Sequence, residues 1–167
     1  DHRVPQVKFV DRTFNCRHEH AMEIWRYILE HDNGVTNFHF EISADLLRED
    51  EIQLMGRMRP GLIQLEIGVQ STNTDTIHAI HRHMDLMTLE KSVAKIHSFG
   101  NIHQHLDLIA GLPYEDYETF HRSFNDVYRM KPDQLQLGFL KVLKGSLMGQ
   151  EAQKYGIMHK EKEPYEV

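Results

Sequence analysis

NIHQHLDLIAGLPYE, residues 101–115, decides the fold. Its first half alternates, as an extended strand with side chains on opposite faces requires. Ile102, Gln104, Leu106, Leu108 and Ala110 fall on one side; His103, His105, Asp107, Ile109 and Gly111 fall on the other. One side is nearly all apolar, and the other carries ionisable groups. Gly111-Leu112-Pro113 stops the strand, and the pattern from Tyr114 to Met130 predicts a helix. A parallel strand that opens through a Gly/Pro turn into a helix is where α/β proteins keep ligands.

The same rhythm recurs outward from this stretch. Strands are expected over Val7–Val10, Asn37–Ser43, Leu62–Ser71 and Asp133–Leu140. Helices are expected over His18–His31 and Arg48–Arg59, in two pieces between Asn73 and Phe99, and after Tyr114. Strands alternating with helices imply a parallel sheet with right-handed crossovers. In a doubly wound sheet both faces are covered and strands read as apolar throughout. Here four strands keep a polar face with Glu41, Glu66, Asp107 and Gln136 among its residues. A closed barrel would fill its interior with Val, Ile and Leu. The pattern therefore predicts an open, partial TIM-like (β/α) barrel of parallel strands with a ligand in its hollow. The barrel is expected over residues 1–147, followed by a short helix and a loose charged tail over 148–167.

Composition narrows the function. At 167 residues the chain is long enough for one sizeable core and too short for a closed eight-stranded barrel. A net charge of −6 with scattered Lys and Arg gives no electrostatic case for nucleic acid. Cys16, the single cysteine, excludes an intrachain disulfide and suits a reducing cytoplasm. No apolar run has membrane length.

Several segments, in order, resemble those of radical S-adenosylmethionine (SAM) enzymes. Glu66-Ile-Gly-Val-Gln-Ser71 resembles their EiGvQS segment, and Arg82 the arginine that follows it. Asp107-Leu-Ile-Ala-Gly-Leu-Pro113 with Glu115 resembles D-x-I-x-G-L-P-G-E, and Val142-Leu-Lys-Gly-Ser-Leu147 the vlpGTpL turn. Val7-Lys-Phe-Val-Asp-Arg-Thr-Phe14 is similar to a segment of the cobalamin-associated branch, which includes the anaerobic Mg-protoporphyrin monomethyl ester cyclases. The resemblance implies a truncated radical SAM core. In the full-length protein SAM and a [4Fe–4S] cluster, with cobalamin as a further cofactor of the branch, would start radical chemistry on a small-molecule substrate.

Carried over by position, the resemblance assigns Gly68, Gln70 and Ser71 to the ribose and amino-acid part of SAM. It sets Ile109, Gly111 and Leu112 against adenine, adds a contact from Leu140–Val142, and offers Arg82 to the SAM carboxylate. Glu66 and Asp107 face the hollow and could order SAM, with Glu41 and Gln136 as further lining. Tyr114, Lys144 and Ser146 depart from the usual Gly, Pro and Thr.

The larger departure is the C-x-x-x-C-x-x-C loop. Three thiolates are needed to leave a fourth iron open, and Cys16 alone cannot supply them. We expect the chain to begin after the first strand and cluster loop, and to be inactive by itself. An alternative is a barrel-type metal hydrolase using His103, His105 and Asp107, although these histidines enter at the amino end of their strand. A non-catalytic binding domain is a third reading. A half-built barrel also leaves an open strand edge, through which a homodimer could form.

Overall fold

The computed structural model describes residues 3–167. Five parallel strands form one sheet in sequence order: β1 (Gln6–Lys8), β2 (Asn37–Ile42), β3 (Ile63–Gln70), β4 (His103–Ala110) and β5 (Gln134–Phe139). The helices are α1 (His18–Glu30), α2 (Glu49–Met55), α3 (Thr74–Ala79), α4 (Leu86–His97), α5 (Tyr117–Arg129) and α6 (Leu147–Glu151). β1 and β5 each pair with one neighbour, so the sheet is an open arc. This is the α/β architecture of an open partial barrel.

The two faces of the sheet differ as the alternation requires. Phe40, Leu65, Ile67, Leu106 and Leu108 are buried with Trp25 of α1, Met55 of α2, Val93 and Ile96 of α4 and Val127 of α5. Trp25, Phe14 and Phe40 pack with ring centroids 4.5–6.0 Å apart. Gln104 points into the same core and is fully buried, but its amide donates to the Val93 carbonyl at 3.2 Å. The opposite face carries Lys8, His39, Glu41, Glu66, His105 and Asp107 on four adjacent strands, which the register brings side by side.

Local chemistry sets the helix ends. α5 starts at Tyr117, not Tyr114, because Tyr114 is left-handed (φ 60°) and the Asp116 carboxylate accepts from the Thr119 N–H at 2.8 Å. α2 ends at Met55, short of Arg59, where tighter turns bond Met58 N–H to the Met55 carbonyl. Buried Asn101 holds that corner by donating to the carbonyls of Met55 and Met58, at 2.9 and 2.7 Å.

The C-terminal segment departs from the loose tail expected of it. It folds back after α6, so that Lys141 and Glu166 form an antiparallel bridge. The Val142 N–H donates to the Tyr165 carbonyl at 3.1 Å. Its charges are used locally, with Lys160 against Glu166 at 2.6 Å, and Ile157 packs on Leu112, Leu140 and Val142.

Leu106→Ala is expected to cost about 2–5 kcal/mol, the range for a fully buried leucine. In the monomer Leu137, which is 47% exposed on β5, should tolerate alanine within ~0.5 kcal/mol. Urea unfolding of both variants checks that the apolar face is packed over β4 and open at the β5 edge, and equal losses would contradict this arrangement.

Candidate functional site

A cleft of ≈ 110 Å³ opens on the polar face, toward the carboxyl ends of β2, β3 and β4. Glu41, Glu66, Gly68, Gln70, Arg82 and Asp107 line it, all of them singled out from the sequence. Arg12 and Thr13, from the loop after β1, and Ile42 complete the wall. Neither Arg12 nor Thr13 was expected there, although both lie within the DRTF segment. Strand parity brings Glu41, Glu66, Gly68 and Asp107 to this side. Gln70 shares that parity and closes the strand. A bulge shifts the β3–β4 register between Gly68 and Gln70, and Gln70 adopts φ 71°.

Gly68 is needed for this geometry. A Cβ at residue 68 would lie 2.5 Å from the Gln70 amide nitrogen and 3.7 Å from an Arg82 terminal nitrogen. Arg82 reaches from the α3–α4 connection and donates to the Gly68 carbonyl. Burial lowers its guanidinium below the ordinary value, and Asp45 opposes that shift. Three buried polar atoms of the cleft have no hydrogen-bond partner: Gln70 Oε1, Arg82 Nε and Asp107 Oδ1. Uncompensated buried polar atoms are costly, so a donor, an acceptor and a carboxyl left open in one cleft fit a polar ligand bearing both kinds of group.

Below the cleft runs a ladder of charges. Lys8 Nζ lies 2.9 Å from Glu41 and 3.1 Å from Glu66. His39 Nε2 is 2.9 Å from Glu66, and His105 Nε2 is 3.0 Å from Asp107. Both imidazole contacts are close but poorly aligned, since neither nitrogen makes a hydrogen bond of good geometry. The hydrogen bonds that Lys8 donates to Glu41 and Glu66 hold its ammonium above its usual value. Burial pushes Glu66 up, but Lys8 and the nearby imidazoles outweigh it and leave its carboxyl low. His105 is lowered, first by burial. Asp107 is pushed up to about 7, first by burial and then by Glu66.

The remaining assigned residues lie elsewhere. Ser71 is fully buried, and its hydroxyl donates to Glu115 at 2.6 Å, tying β3 to the loop after β4. Ser71 continues the parity of Ile67 and Val69 and faces α5, where its hydroxyl lies 3.3 Å from that of Ser123. Leu112 and Val142 are buried in a second apolar cluster with Leu140, against which Ile109 packs. Their side chains serve packing there. Gly111 forms the turn that ends β4 (φ 89°), and Gln136 is exposed on β5 in register with Asp107.

The metal-hydrolase alternative loses its constellation. His103 is exposed at the amino end of β4, beside Asp133 and His97. Among the described residues no three His, Cys, Asp or Glu side chains gather as metal ligands. Cys16 is exposed and stands alone, so the described residues do not fit a [4Fe–4S] cluster. No helix among them is long and apolar enough to cross a membrane.

The raised Asp107 carboxyl makes stability depend on pH. Below about pH 4 both folded and unfolded chains hold this proton. Between there and about 7 the unfolded chain releases it while the folded chain retains it, so stability falls as pH rises, then levels. Asp107→Asn removes the penalty. The variant should match the parent sequence in acid and exceed it by ~1–3 kcal/mol in mild alkali, read by urea unfolding at several pH values.

No protein-family model matches the chain. Among curated proteins it is similar to an oxygen-independent coproporphyrinogen-III oxidase-like protein of Bacillus subtilis, at 28% identity over 119 residues. It is also 28% identical to an oxygen-independent coproporphyrinogen III oxidase of Salmonella typhimurium, over 107 residues. These matches cover 70% and 60% of this chain but 23% of each relative, so the chain spans about a quarter of their length. Among solved structures, the radical SAM methyltransferase TsrM of Kitasatospora setae, with cobalamin and a [4Fe–4S] cluster bound, superposes with a TM-score of 0.76. The identity is 16%, over 90% of this chain and 31% of TsrM. The radical SAM coproporphyrinogen III oxidase of Escherichia coli gives a TM-score of 0.60 at 18% identity, over 83% of this chain and 32% of that one. The likeness thus reaches the fold of these radical SAM proteins, and stops short of any one enzyme among them.

Proposed function

We propose that the chain is part of the barrel of a radical SAM enzyme and that its cleft receives SAM. The observation that carries this reading is the convergence of Glu41, Glu66, Gly68, Gln70, Arg82 and Asp107 on one cleft in a fold shared with TsrM. SAM bears an ammonium, a carboxylate and ribose hydroxyls. Arg82 Nε would meet its carboxylate, and Gln70 Oε1, whose amide the missing side chain of Gly68 makes room for, an ammonium or hydroxyl. Glu66 and Asp107 would orient the ligand from below. Ile109, beside Leu112, offers an apolar surface for adenine.

In the full-length protein a cluster held outside the described residues would supply reductive cleavage of SAM. The parent would then be an oxidoreductase, cyclase or methyltransferase acting on a small molecule. Cobalamin enters through the cobalamin-branch resemblance of the segment around Asp11 and through the likeness to TsrM. A cytoplasmic setting accords with one unpaired cysteine. The chain alone is expected to yield no 5′-deoxyadenosine.

Isothermal titration of SAM into this chain tests the cleft. Gly68→Ala is the decisive variant. The added methyl displaces only the end of the Gln70 side chain, so stability should change by less than ~1 kcal/mol. The displaced amide would occupy the cleft, and SAM binding should be lost. Unchanged binding in Gly68→Ala overturns the assignment, as does a full-length parent that takes up no iron and sulfide on anaerobic reconstitution.

The homodimer is proposed through β5. Its stretch Gln134–Phe139 carries no charge, and Leu137 and Phe139 are 47% and 81% exposed. Uncharged edges invite pairing. Two copies joined antiparallel about an axis at Leu137 would gather Leu135, Leu137 and Phe139 of both on one face. Sedimentation should give a dimer that Phe139→Lys dissociates, and a monomer at high concentration would refute the pairing.

A further inference from the structure

Three carboxyl groups, Glu41, Glu66 and Asp107, approach one another across β2, β3 and β4, and a single ammonium serves them. Lys8 stands 2.9 Å from Glu41 and 3.1 Å from Glu66 and is spent on those two. Arg82, which also lines the cleft, donates to the Gly68 carbonyl. Arg12 borders the cleft from an exposed loop position. His39 lies against Glu66, not Asp107, at 2.9 Å. Among the described residues His105 is the only imidazole in contact with Asp107; it is buried, and burial favours its neutral form. His103, two residues earlier on the same strand, is exposed at its amino end. β5 offers only uncharged Gln136 in register. Asp107 therefore has carboxylate neighbours, a neutral imidazole and no cation of its own. Its Oδ1 is buried without a hydrogen-bond partner. A carboxyl so placed is relieved by keeping its proton.

We propose that Asp107 meets the ligand as a neutral carboxylic acid whose O–H donates to an acceptor oxygen or nitrogen, and that Glu66 and His105 are positioning residues that hold it in that form. This rests on the reading of the cleft as a SAM site. There the acceptor would be an oxygen of the ribose or carboxylate. The consequence is specificity: in neutral or mildly acidic solution the floor of the cleft selects a group that accepts a hydrogen bond, where a carboxylate would select one that donates. The raised Asp107 carboxyl, at about 7, agrees with this arrangement.

The test has two readings. In the chain without ligand, carbon NMR of the carboxyl groups, assigned by loss of a signal in Asp107→Asn, should show Asp107 titrating near neutrality. Glu66→Gln should move that midpoint toward the ordinary carboxylate range, which a merely structural role for Glu66 would not do. SAM affinity is then measured against pH in both the parent sequence and Asp107→Asn. Taking the ratio of the two cancels the ligand's own titration. That ratio should fall by about fivefold or more from about pH 6 to about pH 8.5. An Asp107 signal that titrates with the surface carboxylates, or a flat ratio, overturns the proposal. SAM that binds at no pH sinks the reading of the cleft, while the NMR titration still decides the state of Asp107.

Discussion

Side chains alternate across a strand, and this sheet cannot tolerate a slip of one residue. Register sets Lys8 beside His39, Glu41 beside Glu66, and Glu66 beside His105. Moving any one strand by one position would send its ionisable groups under the helices and bring Phe40, Leu65 or Leu106 into the hollow. The cost would be several buried charges together with the loss of fully buried apolar side chains. The core and the candidate site are thus specified by the same pattern, read on opposite faces.

The site needs one departure from that regularity. At the end of β3 the register shifts and Gln70 turns left-handed, a conformation that costs a non-glycine residue of order 1–3 kcal/mol unless its surroundings enforce it. Here they do so. Val69 is fully buried on one side, and Ser71 is anchored on the other by Glu115. The Ser71 N–H bonds back to the Val69 carbonyl at 2.9 Å. The reward is a side-chain amide laid over bare Gly68 next to Arg82.

This division explains what was legible in the sequence. Period-two alternation located every strand to within two residues at either end, and it set Glu41, Glu66 and Asp107 on the correct side. Lys8 was missed because β1 is only three residues long, too short for a pattern. Three inward carboxyls without a cation were the signal that something like Lys8 had to face them. Ser71 was assigned to SAM on the motif alone; it shares the parity of Leu65, Ile67 and Val69, and it is buried with them. Leu112 and Val142 lie past the strand ends, where alternation stops. Their burial depends on α6 and the returning tail, whose contacts are long-range and carry no local periodicity.

The segments that resemble the family most closely are also those that hold one another in place. Ser71 and Glu115 belong to different segments, 44 residues apart, and bond at 2.6 Å. Asn73 donates to the Tyr114 carbonyl at 2.9 Å, and Thr76 to the Pro113 carbonyl at 2.9 Å. Ser123 of α5 joins the network through Thr72 and Glu115. These bonds lock the loop after β3 to the loop after β4, and so fix the separation of the two strands that contribute most to the cleft. Tyr114 occupies the turn at φ 60°, where the family's usual glycine would be unstrained, and this chain meets that cost with the Asn73 bond and an edge-on contact to Tyr155. A motif read as ligand-binding is then, in part, a clamp between loops. Its glycines and its serine–glutamate pair shape the cleft by setting the backbone, while the chemistry falls to the side chains that the backbone leaves uncovered.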